Sequence, residues 1–126
     1  VMRTASYPAP VPPWTTNEDR RLHFHVRAAR IKEWHDAAYW IAKQQGWNHP
    51  SENNRPSTVR VTVTYPTQRI RDNHNLVGTV VKATIDGLVA AGVWPNDDPR
   101  YVTVLEPRIV VKPGHHQVTI ELEERP

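Results

Sequence analysis

In the stretch Val59-Arg60-Val61-Thr62-Val63-Thr64-Tyr65, β-branched and aromatic residues alternate with polar ones. Successive strand side chains point to opposite faces, so Val59, Val61, Val63 and Tyr65 share one face and Arg60, Thr62 and Thr64 the other. This pattern predicts a half-buried strand, and Pro66 ends it because proline has no N–H to give to a ladder. On its N-terminal side the polar run 48–57, with Pro50 and Pro56, is a loop. Before the loop, Ala28, Ile31, Trp34, Ala38 and Ile41 recur at steps of three and four. That spacing predicts an amphipathic helix over about 26–45, with Gly46 as its stop.

Beyond Pro66, a loop over 67–73 carries Arg69 and Arg71. A second helix is expected over about 75–91, with Val77, Val81, Ile85 and Leu88 as its apolar stripe. Asn75, Thr79, Lys82 and Asp86 line the opposite side, and Gly92 stops it. After a loop over 94–100, residues 101–105 and 109–112 read as strand interrupted at Pro107. Val118, Ile120 and Leu122 then alternate with polar neighbours behind a Pro113-Gly114 turn, which predicts a closing hairpin. Residues 1–17 hold Pro8, Pro10, Pro12 and Pro13 and end in Trp14-Thr15-Thr16-Asn17, so they read as an extended, non-helical arm followed by a turn. The order of elements predicts an α+β fold, a small mixed β-sheet with two main helices.

A chain of 126 residues is one domain's worth, 1–126, and is short enough for a dimer interface to matter to stability. The absence of cysteine excludes disulfides, thiolate metal sites and cysteine nucleophiles. No apolar run approaches the roughly 18 residues of a membrane span, and no signal-type apolar region opens the sequence. A soluble, cytoplasmic protein with no membrane partner is therefore expected. The formal charge is +3, carried mostly by arginine, which pairs with phosphate bidentately. Nucleic acid is one partner that fits, and a merely solubilising basic surface fits as well.

The chemistry concentrates in Arg71-Asp72-Asn73-His74-Asn75-Leu76, followed by Lys82, Asp86-Gly87-Leu88, Gly92-Val93-Trp94 and Asp97-Asp98. Carboxylates and an imidazole stand at the two ends of one predicted helix, with a lysine partway along its polar side. Metal-assisted phosphodiester hydrolysis needs such a set: acids to hold a divalent ion, and a cation to offset charge on the phosphate. Each member also has an ordinary use. Lys82 and Asp86 suit a surface pair at i, i+4, Asp97-Asp98 suits an acidic turn before Pro99, and His74 suits a helix cap.

These same residues resemble the signature of RusA-type Holliday junction resolvases, endonucleases of phages and prophages that act in DNA recombination and repair. The opening Pro12-Pro13-Trp14-Thr15-Thr16-Asn17 with Arg20-Arg21-Leu22-His23 is similar to that family too, so the likeness runs along most of the chain. Its specific part lies between 71 and 102. The resemblance implies a RusA-like fold and a magnesium-dependent homodimer, in a bacterial cytoplasm, that cuts opposed strands of a four-way DNA junction. Asp72 then matches the first metal-binding aspartate, position 74 the second, Asp97 or Asp98 the third, and Lys82 the functional lysine.

Two departures stand out. Between Asp72 and Lys82 the chain holds about one helical turn more than the family pattern, which rotates the lysine by only about 40°. And the second aspartate is His74. Magnesium prefers hard oxygen ligands, whereas imidazole suits manganese, so Mn2+ becomes possible or preferred. Otherwise His74 moves a proton, or does not ligate and leaves a junction-binding protein with weak or no cleavage.

A regular helix over 75–91 spans roughly 25 Å, while the residues from 92 to 97 reach back about 17 Å at most. Asp72 and Asp97 would then meet only across a twofold dimer, in a composite site. Arg69 and Arg71 flank the motif as phosphate contacts. Arg20, Arg21, Arg27, Arg30 and Lys32 are candidates for a DNA-facing strip or a solvated helix face. Trp14 is a candidate wedge for the junction centre or a core residue. His115-His116 reads as a hairpin tip. A third possibility for the whole chain is an unrelated small basic domain whose acids are structural.

Overall fold

The computed structural model describes residues 2–48, 56–67 and 73–125. Strand β1 (Met2–Pro8) leads through a proline-rich segment to a short helix α1 (Thr16–Asp19) and a long helix α2 (Phe24–Gln45). Strand β2 (Ser57–Tyr65) holds the alternating valines. A helical crossover over 73–91 ends in helix α3 (Lys82–Ala91), and β3 (Val102–Val104), β4 (Arg108–Val111) and β5 (Gln117–Glu124) complete the chain. The class is α+β, with a mixed five-stranded sheet.

β2 is central. β5 runs antiparallel along one of its edges, with Val59 opposite Leu122, Val61 opposite Ile120 and Val63 opposite Val118. β1 pairs antiparallel with the far side of β5. The other edge of β2 is taken by β3 and then β4, both parallel to it, with the break at Leu105–Pro107. The expected closing hairpin is therefore corrected: β4 and β5 flank β2 on opposite sides, and the Pro113-Gly114 turn carries the chain past the Tyr65 end of β2. Gly114 takes φ 83° there, and the Lys112 N–H donates to the Tyr65 carbonyl at 2.9 Å. The central position lets β5 bury Val118, Ile120 and Leu122 completely, which an edge hairpin would not.

The helices pack on the valine face. The expected stripe of α2 holds only in its C-terminal half: Trp34, Ala38, Ile41 and Ala42 are buried, whereas Ala28 and Ile31 are exposed. Gly46, at φ 71°, ends it as expected. The second expected helix is not regular. It opens with a 3-10 turn, Asn73–Leu76, passes through a π turn, Val77–Val81, and becomes α-helical only at Lys82. A π turn carries an extra residue and so shifts the phase of the residues around it. Val77, expected in the apolar stripe, is exposed; Thr79, expected on the polar side, is buried together with Leu76, Val80 and Val81.

Gly87 is where α3 crosses α2. A Cβ at this position would collide with the His35 carbonyl oxygen and lie 3.0 Å from the Ala38 Cβ. Among the described residues no helix is long and apolar enough to cross a membrane.

Candidate functional site

The segment expected to be a free arm is tied down at both ends. β1 is a sheet strand, and residues 16–19 are helical, contrary to the extended reading, because Thr15 and Glu18 form a reciprocal capping box. Trp14 is fully buried and meets Trp34 edge-on, with centroids 6.4 Å apart. Its indole N–H donates to Asp19 Oδ1 at 3.0 Å. This takes Trp14 out of any wedge role and gives it to the core.

The same segment docks on the start of the second helix. The Thr79 hydroxyl donates to the Trp14 carbonyl at 2.6 Å, and the Thr16 hydroxyl donates to the Asn75 carbonyl at 3.1 Å. The proline-tryptophan motif and the acidic motif, distant in sequence, thus meet at Asn75. Asp72, Arg69 and Arg71 lie outside the described residues. His74 lies in the 3-10 turn, and its side chain is outside the described set.

Lys82 and Asp86 project from the outer side of α3, with Nζ 3.5 Å from Oδ2 and side chains 64% and 43% exposed. Pairs of this kind contribute only about 0.3–0.5 kcal/mol, too little to withhold the lysine from a phosphate. Beyond Gly92, in the left-handed region at φ 94°, Val93 and Trp94 are buried and anchor the following loop.

That loop treats its two acids differently. The Asp98 carboxylate accepts from the Arg100 backbone N–H at 2.9 Å, from Nε at 3.1 Å and from a terminal nitrogen at 3.1 Å. The Arg100 side chain and backbone N–H hold the Asp98 carboxyl below the usual carboxylate range. Its carbonyl also accepts from Tyr101 and Val102. Arg125 supports the loop from the last strand by donating to the carbonyls of Pro99 and Arg100. Asp98 is therefore the knot of the turn. Asp97 is exposed and makes no ion pair among the described residues.

The basic candidates also divide. Arg27 is held by Asp19, with Nε 3.2 Å from Oδ2 and a terminal nitrogen donating to the Asp19 carbonyl at 2.9 Å. It fastens α1 to α2. Arg20 and Arg21 are exposed in the turn between these helices, and Arg30 is half-buried on α2. Lys32 pairs with Asp36 at 2.6 Å. His115 and His116 are exposed at the turn between β4 and β5, so they crown an arch around β2 rather than a hairpin.

Sequence reasoning did not single out Asp19, which joins Trp14 to Arg27, nor the two threonine contacts. Their only sequence trace is the capping box Thr15-Thr16-Asn17-Glu18. It also missed the exposed Phe24 between two histidines. Among the described residues no three His, Asp or Glu side chains converge on a point that could hold a metal ion.

No protein-family model matches the chain. No curated protein is significantly similar to it.

Proposed function

We propose that this protein is a structure-selective endonuclease that resolves four-way DNA junctions by metal-dependent phosphodiester hydrolysis. The observation that carries the reading is the order Asp72, His74, Lys82 and Asp97 in the sequence, in which Lys82 is exposed on α3 and Asp97 is left uncommitted in the loop beyond it while its neighbour Asp98 is consumed by a turn. Asp72, His74 and Asp97 would hold Mg2+ or, given the imidazole, Mn2+. When bound, the ion supplies water activation and offsets charge on the phosphate. Lys82 stabilises charge on the scissile phosphate, and Asp86, one turn along α3 with Oδ2 3.5 Å from its ammonium, orients it. Asp98 fixes the loop that presents Asp97. Arg69 and Arg71 contact the phosphates on either side, and Asn75 ties the motif to the arm.

The test is cleavage of labelled four-way junctions, against duplex, in magnesium and in manganese. Cleavage of the junction in manganese is expected, with loss of about 10²–10³-fold on Lys82→Ala, the scale of removing one charge-stabilising group. His74→Asp is expected to raise magnesium-dependent cleavage. Junction binding without cleavage in any metal would instead support the alternative, a binding protein disabled at His74. The engagement of Asp98 by Arg100, which leaves one free acid in the loop, is the feature that favours this alternative. Equal affinity for duplex and branched DNA overturns both.

A further inference from the structure

Between the acids of α1 and Glu33, residues 20–32 read Arg20-Arg21-Leu22-His23-Phe24-His25-Val26-Arg27-Ala28-Ala29-Arg30-Ile31-Lys32, with no acidic residue. Phe24, in the middle of this run, is 62% exposed, although an aromatic ring gains free energy by burial. It is not alone. The rings of His23, Phe24 and His25 form a triangle with centroids 3.8–5.0 Å apart, and both histidines are exposed. An open groove of about 390 Å³ continues from His25 past Val11, Val26 and Ala29 to Arg30, with Glu33 as its one acid.

We propose that the His23, Phe24 and His25 cluster, flanked by Arg20, Arg21 and Arg30, is a stacking platform for unpaired bases of DNA. The proposal rests on the reading of this chain as a protein that acts on branched DNA. Two physical features choose the occupant. Every base offers a π face, so a mutually supported set of exposed rings binds bases without regard to sequence. Guanidinium groups beside those rings match the phosphates that accompany the bases, whereas an apolar protein partner would meet several unpaired cations. Arg27 takes no part, since Asp19 holds it. At a four-way junction the unpaired bases are those of the opened centre, the position for which Trp14, sealed in the core, is unsuited.

The experiment is fluorescence titration of the full chain, with chelator present so that nothing is cut. It uses a single-stranded oligodeoxynucleotide carrying 2-aminopurine, a duplex, and a four-way junction with 2-aminopurine at its centre. Wild type is expected to bind the single strand, with a change in 2-aminopurine emission. Phe24→Ala should weaken that binding by about 5- to 150-fold, the range for one stacked base, and abolish the emission change. Phe24→Trp should preserve both, and Arg20→Gln with Arg21→Gln should lower affinity and flatten its salt dependence. Val104→Ala, at an exposed apolar residue on β3 outside the platform and its groove, should leave binding unchanged. Unaltered thermal melting of Phe24→Ala shows that the loss is not unfolding. Equal affinity and emission for wild type and Phe24→Ala, or no binding of the single strand by wild type, overturns the proposal. If the junction is bound in preference to duplex regardless of Phe24, only the platform fails. If Phe24 governs single-strand binding but branched DNA is not preferred, the platform stands and the endonuclease reading fails.

Discussion

Gly87 stands in the Asp86-Gly87-Leu88 part of the motif, yet its role in the structure is packing. The α2 backbone at His35 approaches so closely that no side chain fits, and the obstructing atom is a carbonyl oxygen inside a helix, which cannot swing away. Helix propensity alone favours Gly87→Ala by about 1 kcal/mol. Overpacking against backbone costs about 1–3 kcal/mol or more, so the collision is expected to win. Chemical denaturation of Gly87→Ala should therefore show a net loss of stability; a gain would mean that the two helices are free to move apart. Asp98 carries the same lesson. Sequence offers Asp97 and Asp98 as equivalent acids, and only the arrangement of Arg100 and Arg125 around the turn separates them.

At the scale of elements, the second helix is the instructive one. Its π turn exposes Val77 and buries Thr79, whose hydroxyl then has no water to bond and uses the Trp14 carbonyl instead. Thr79→Val keeps the shape and removes the donor. It should destabilise the protein by about 1–3 kcal/mol, since a buried carbonyl loses its partner. Thr16→Val, at the half-buried contact with Asn75, should cost less. Denaturant titration of the two variants checks the order, and equal effects would mean that the arm is held by packing alone. The first helix was legible in its limits, because Gly46 and the Trp34, Ala38 and Ile41 spacing are local signals. Its exposed half was not: whether Ile31 meets a neighbour depends on what distant segments pack against it.

At the scale of the molecule, the proposed site has members at both ends of the crossover, with Asp97 six residues beyond the end of α3 at Ala91. A twofold dimer that joins Asp72 of one protomer to Asp97 of the other makes a sharp prediction. Asp72→Asn and Asp97→Asn homodimers should each be inactive. Refolded together, they should form mixed dimers with one intact site and nick the junction. Silence of the mixture, with each variant still binding junctions, would place both acids in one protomer.

The amino-acid sequence alone determined the β2 strand, the body of α2, the glycine stops at Gly46 and Gly92, the break at Pro107 and the α+β class. Each of these depends on neighbours within a few residues: side-chain alternation, a step of three or four, or a backbone angle that glycine tolerates. Tertiary structure decided the rest. Only packing could set β5 between β1 and β2, shift the phase of the second helix at Val77–Val81, bury Trp14 against Trp34, bind Arg27 to Asp19 and leave Phe24 in solvent. These outcomes are choices among distant partners. The free energy that selects them comes from burying apolar rows and satisfying polar groups across the whole chain, which no local pattern encodes.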